Sequence, residues 1–143
     1  MTGVSAVERG GRVAHSSAAA PPPAGSYSQA VSAAGLVFLA GQTARRRDGT
    51  RPSGLSFEDE ATIVMDNLSD VARVAGCELS DAVKVTVYLK HPARDRQAFD
   101  AIYRRYLHEP FPARTTVHSD LPDCTVEVDA ILLRAERAEG KPA

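Results

Sequence analysis

Thr125-Val126-Glu127-Val128-Asp129-Ala130-Ile131-Leu132-Leu133 carries two side-chain patterns at once. Alternate side chains of an extended strand point to opposite faces, so Val126, Val128, Ala130 and Leu132 share one face and Glu127, Asp129, Ile131 and Leu133 the other. The first set is the wall of a core. The second places two carboxylates beside two large aliphatic groups, which suits neither open solvent nor a closed interior. If helices cover only one side of the sheet, Ile131 and Leu133 are left at the surface, and the second face is expected to meet another subunit.

Working back from this strand, Val83-Lys84-Val85-Thr86-Val87-Tyr88-Leu89 alternates in the same way, with Val83, Val85, Val87 and Leu89 on one face. Upstream, Phe57, Ala61, Val64, Met65, Leu68, Val71, Ala72 and Ala75 recur at threes and fours and predict an amphipathic helix. Ser56 is placed to cap it, Glu58 and Asp59 complement its positive end, and Gly76 is its stop. A second helix carries Phe99, Ile102, Tyr103, Tyr106 and Leu107 on one stripe and ends before Pro110. A further strand is expected over 114–118. Ser28 to Val31 and Leu36 to Leu39 flank the small residues Ser32 to Gly35, the pattern of a hairpin closed by Gly41-Gln42. These elements give an α/β (α+β) domain with two helices over one sheet.

The 143 residues, 43% of them hydrophobic, make one domain with a real core. Residues 1–24, rich in Ala, Ser, Gly and Pro, are expected to form a flexible N-terminal arm, followed by the domain over 25–135 and a C-terminal tail over 136–143. Seventeen Lys and Arg against eighteen Asp and Glu leave a formal charge of -1, which provides no field to gather nucleic acid. Arg45-Arg46-Arg47 runs into Asp48-Gly49 and reads as a solvated turn. Cys77 and Cys124 belong to no ligand or disulfide pattern, and the four histidines lie far apart, so neither a zinc site nor another metal is expected. The absence of a long apolar run predicts no membrane association and, with the lack of a signal-peptide pattern, a cytoplasmic protein.

Two residues carry candidate chemistry. Arg114, in Phe111-Pro112-Ala113-Arg114-Thr115-Thr116, stands at the start of a strand behind a proline, where a guanidinium can grip a carboxylate through two parallel hydrogen bonds. The plainer use of such an arginine is an ion pair across a subunit contact. Glu127 lies mid-strand between valines, where partial burial raises a carboxyl pKa and fits it to take a proton from water near neutral pH. It too has a plain alternative, a paired interface carboxylate. Asp129 reads as a structural partner.

Gly25-Ser26-Tyr27-Ser28-Gln29-Ala30-Val31, Ala40-Gly41-Gln42, Asn67-Leu68, Ala75-Gly76, Asp81 through Leu89, Tyr103, Pro112-Ala113-Arg114, Leu121-Pro122 and Val126 through Ala130 resemble, in order and spacing, the RidA (YjgF-like) reactive intermediate deaminase family. The resemblance runs from Gly25 to Leu133. It implies a chorismate-mutase-like fold of the bacillus type: a mixed, mainly antiparallel sheet with two helices on one face, assembled as a homotrimeric barrel with clefts between subunits. It also implies hydrolysis of 2-imino acids or 2-aminoacrylate-type enamines to 2-oxo acids and ammonia without a cofactor. On this resemblance Arg114 binds the substrate carboxylate, Glu127 orients or activates the attacking water, and Tyr27 and Gly41 line the cleft; backbone groups of Thr115 or Thr116 are then placed to orient the substrate. The partner is then a small carboxylate-bearing molecule.

Four positions depart from the family pattern: Ser26 for proline, Ala40 for serine, Thr116 for cysteine, and Asp100 for asparagine, which adds a negative charge near the substrate. They leave two rival functions open beside deamination, a noncatalytic small-carboxylate binder and a specialised enzyme acting on a different imine or enamine.

Overall fold

The computed structural model describes residues 3–134. In chain order the strands are β1 (Val4–Arg9), β2 (Arg12–Ser17), β3 (Ala30–Ala33), β4 (Leu36–Gln42), β5 (Ala82–Leu89), β6 (Ala113–His118) and β7 (Val126–Leu133). The helices are α1 (Phe57–Val74), between β4 and β5, and α2 (Pro92–Tyr103), between β5 and β6. One sheet runs β1-β2-β3-β4-β7-β5-β6. Among the described residues only β5 and β6 are parallel neighbours, and α2 supplies the crossover that a parallel pair requires.

The expected hairpin, α1, α2 and the strands on either side of α2 are all present. Ser56 Oγ accepts from the Asp59 N–H at 3.1 Å and opens α1. Gly76, at φ 77°, closes it, with the Cys77 N–H donating back to Ala72 O. The α1 stripe packs on Val126, Val128, Ala130 and Leu132 of β7, all at most 2% exposed. Each of the three larger side chains, Val126, Val128 and Leu132, contributes about 1.5–3 kcal/mol by leaving water, so much of the fold's stability comes from this layer. Asn67, buried in α1, sends its amide to Thr43 O and Arg45 O at 2.9 and 2.7 Å, fixing the loop that follows β4.

Three details differ from the sequence reading. A register shift between Ala82 and Lys84 turns Val83 out of the core, where it is 43% exposed. The second helix ends at Tyr103 rather than just before Pro110, because the i to i+3 bonds of Arg105 and Tyr106 tighten the chain there, although Leu107 stays buried. The largest correction concerns the arm expected over 1–24. Its first part is the β1–β2 hairpin, turned at Gly10 and Gly11 with φ of 60° and 80°, and β2 adds to the edge of β3. That hairpin needs no core of its own, since the β3 edge supplies its hydrogen bonds and His15 Nε2 lies 2.9 Å from Ser32 Oγ in the interior. Its second part is pinned by the buried Gln29 side chain, which bonds the N–H and O of Ser17 and the carbonyls of Ala20 and Pro21. The tail over 136–143 lies outside the described residues.

Both helices cover the same face of the sheet. The other face carries Phe38, opposite Ile131, and Leu133, 41% and 54% exposed for Phe38 and Leu133, and further along the same face, on β6 beyond β5, Val117. No helix among the described residues is long and apolar enough to cross a membrane.

Candidate functional site

Glu127 leaves β7 on the open face because its neighbours Val126 and Val128 take the core face. It stands opposite Tyr88 of β5, whose hydroxyl donates to Asp129 at 3.0 Å, so Asp129 is the partner of a tyrosine and Glu127 is left for other work. Burial, with Asp129 close by, pushes the Glu127 carboxyl above its ordinary pKa, and the Arg51 cation draws it partly back. Across β4 the ladder to β7 shifts register between Leu39 and Gln42, which brings Gly41 against this carboxylate. A Cβ at Gly41 would collide with Glu127 Oε2, so only glycine permits the approach.

Tyr27, Gly41 and Glu127 line one pocket of about 150 Å3. The remaining wall had not been anticipated. Pro21, Pro22 and Ala24 of the supposed arm form one side, and Thr43, Arg45 and Arg51 another. The Tyr27 hydroxyl accepts the Ala24 N–H at 2.9 Å, and Arg45 donates to Pro22 O at 2.8 Å. These bonds fold the arm over the pocket. Arg45-Arg46-Arg47-Asp48-Gly49 does form the expected turn, with the Gly49 N–H on Arg46 O, but its first arginine is spent on this wall.

Arg114 is elsewhere. It pairs in register with the buried Val85 and therefore lies on the helix-covered face, opposite to that of Glu127. Its Nη1 donates to Asp100 Oδ1 at 3.0 Å, and its guanidinium carbon lies 4.6 Å from the centroid of the Tyr103 ring. Arg104 Nε reaches the second Asp100 oxygen at 3.3 Å. The two guanidinium groups hold the Asp100 carboxyl below its ordinary pKa, the Arg114 hydrogen bond most of all. Asp100, Tyr103, Arg104, Phe111, Pro112 and Arg114 enclose a second pocket of about 200 Å3. The Tyr103 hydroxyl is buried there without a hydrogen-bond partner among the described residues.

One chain thus presents two separate pockets, with Arg114 and Glu127 on opposite faces of the sheet. Thr116 shares the face of Arg114, whereas Thr115 shares that of Glu127 and its hydroxyl accepts Lys84 Nζ at 2.6 Å. Asp100 and Tyr103 stand three apart on α2, a spacing that announces one helix face; Tyr103 belongs both to the core stripe and to the residues that carry the resemblance, neither of which gives it a role in a pocket. Arg51 carried no such signal.

The family model described as Endoribonuclease L-PSP matches residues 17–133. The chain belongs to this family, the RidA (YjgF-like) proteins. A RutC family protein of Pyrococcus horikoshii is 38% identical over 115 residues, which cover 78% of this chain and 90% of that protein. A Dermatophagoides farinae protein named 2-iminobutanoate/2-iminopropanoate deaminase is 34% identical, covering 80% of this chain and 90% of its own. The crystal structure of RidA from an Antarctic Psychrobacter superposes with a TM-score of 0.74 at 31% identity, covering 81% of this chain and 94% of that one. Like these RidA-family relatives, the chain has a mixed, mostly antiparallel sheet with two helices. Some members are named as enzymes, and others only by family.

Proposed function

We propose that this chain hydrolyses small 2-imino acids and 2-aminoacrylate-type enamines to 2-oxo acids and ammonia, in clefts between the subunits of a homotrimer. The observation that carries this reading is Glu127: a half-buried carboxyl, raised in pKa and pressed against Gly41 at the floor of a pocket. Such a group takes a proton from water at neutral pH more readily than an exposed carboxylate does. Arg114 complements it. Asp100 occupies Nη1, which leaves the Nε and Nη2 edge to hold a carboxylate by two hydrogen bonds.

In the reaction, the carboxylate held on Arg114 fixes the imine carbon, and Glu127 accepts a proton as the water oxygen adds to that carbon. Glu127 hands that proton to nitrogen, then takes the remaining hydroxyl proton and passes it to nitrogen as well, so that the carbon–nitrogen bond breaks and ammonia leaves as the carbonyl forms. One water is consumed, and no redox change occurs. Holding both reactants in place replaces a chance encounter in solution, and this is the main contribution the protein needs to make.

Assembly is part of this proposal. Arg114 and Glu127 face opposite sides of one sheet, so they meet only when Arg114 of one copy is brought to Glu127 of another. The uncovered Phe38, Val117 and Leu133 give the open face a reason to be buried. The name of the Dermatophagoides farinae relative supports the chemistry.

The test generates 2-iminopropanoate with an amino acid oxidase and follows loss of the imine. Wild type should accelerate hydrolysis, and Arg114→Ala should lower kcat/KM by at least ~100-fold. Equal turnover by wild type and variant would remove the assignment. Binding of small 2-oxo acids without any acceleration would instead favour a noncatalytic carboxylate binder.

A further inference from the structure

Arg51 stands on the wall of two cavities. One is the Glu127 pocket, and the other is a larger adjoining space of about 520 Å3 lined by Leu55, Lys90, Cys124 and Thr125, among others. Its cation acts on Glu127 and on Cys124 alike, as expected of a group standing between them. Arg51 Nη1 donates to Thr43 Oγ1 at 2.9 Å, and Thr43 sits in the loop that Asn67 fixes from α1. The guanidinium is therefore held at the junction by one edge. Among the described residues no carboxylate forms an ion pair with it.

The other arginines near the two half-sites differ. Arg45 is committed to Pro22 O and Gly49 O, and Arg104 and Arg114 share Asp100. In the larger cavity both Glu60 oxygens are taken, one by the Thr125 N–H and one by its hydroxyl, each at 2.7 Å. Asp123 is the other acid of that wall, against Arg51 and Lys90. A molecule whose reacting carbon lies at Glu127 and whose chain runs past Arg51 thus meets a guanidinium held by one edge on Thr43, with no carboxylate ion pair among the described residues, and then an ammonium.

We propose that Arg51 is a specificity-determining residue that selects 2-imino acids bearing a second carboxylate on the side chain. Arg114 holds the carboxylate next to the imine carbon, Arg51 holds the distal one, and the larger cavity accommodates the carbons between or beyond. The reaction is the one proposed above and the inference rests on that reading, but the ligand class is tested separately from catalysis.

The experiment uses the full chain and Arg51→Ala, an exchange at an exposed side chain. Imines are generated from alanine and from glutamate, and kcat/KM is measured for each. In parallel, calorimetry measures binding of 2-oxobutanoate and 2-oxoglutarate. In wild type the glutamate-derived imine and 2-oxoglutarate should be favoured, and the variant should lower each acidic-to-neutral preference by ~10–100-fold, the range of a charge-assisted hydrogen-bonded pair. An unchanged preference in both measurements overturns the inference, even if imine turnover is intact. Arg51-dependent binding of 2-oxoglutarate without turnover of either imine sustains the ligand class and overturns the deaminase reading alone.

Discussion

Asp100 Oδ1 accepts a 3.0 Å hydrogen bond from Arg114 Nη1 and balances the charge of the arginine proposed to hold the substrate. The carboxylate does two things that can be separated. It locks the guanidinium over Tyr103, and it weakens the pull of that guanidinium on a second carboxylate. Asp100→Asn keeps an accepting oxygen and removes the charge, so KM for a monocarboxylate imine should fall ~3–10-fold with kcat little changed. Asp100→Ala also loses the lock and should lower kcat. A rise of KM in the Asn variant would show that the charge assists binding.

Gly41 is the second point at which one atom decides the site. Gly41→Ala sets a Cβ on Glu127 Oε2, the movable end of a side chain, so the carboxyl gives way before the backbone does. Folding should survive at a cost near the low end of the ~1–3 kcal/mol typical of overpacking. Because the displaced group is the proposed proton acceptor, kcat should fall at least ~10-fold. Denaturant unfolding beside steady-state kinetics separates the two effects, and a loss of stability with full activity would remove Glu127 from the mechanism.

Much of this arrangement was legible in the sequence because it is local. The alternation of β7, the stripe of α1 and the Ser56 cap are each set by neighbours a few residues apart. What was not legible depends on pairing. The faces of Arg114 and Glu127 follow from β5 lying between β6 and β7 and from the register on each side of it, and neither strand's own pattern contains that information. Val83 fails for the same reason: a single shifted pair reverses it. The hairpin of β1 and β2 looked like an arm because its own composition cannot build a core, and its stability comes from an edge 15 to 19 residues further on, at Val13 opposite Ser32 through His15 opposite Ala30.

Gln29 ties that region to the pocket. Its amide makes four hydrogen bonds to the Ser17, Ala20 and Pro21 backbone while only 3% exposed. Gln29→Ala leaves buried backbone groups unpaired, each costing about 1–3 kcal/mol, so the loss should reach about 3 kcal/mol. The chain around 18–24 should also become sensitive to protease at concentrations that spare wild type. An unchanged digestion pattern would mean that other contacts hold the wall of the Glu127 pocket.

The raised pKa of Glu127 links activity to stability with opposite signs. If Glu127 must be ionised to accept a proton, kcat/KM falls as pH drops through its folded-state value, which burial and Asp129 set above the ordinary carboxylate range. Stability responds to the same shift with the opposite sign. A carboxyl whose folded pKa exceeds its unfolded one contributes stability that is fully present below the unfolded value and is lost as pH rises through the folded value. At neutral pH the ionised Glu127 therefore weakens the fold. Glu127→Gln keeps the shape without the charge, so it should raise Tm at pH 7 while lowering kcat at least ~100-fold, and the Tm gain should vanish at a pH below the ordinary carboxylate range. Thermal unfolding of both proteins across that pH span measures the crossing. A variant less stable than wild type at pH 7 would place Glu127 in a favourable ion pair and return it to a structural role.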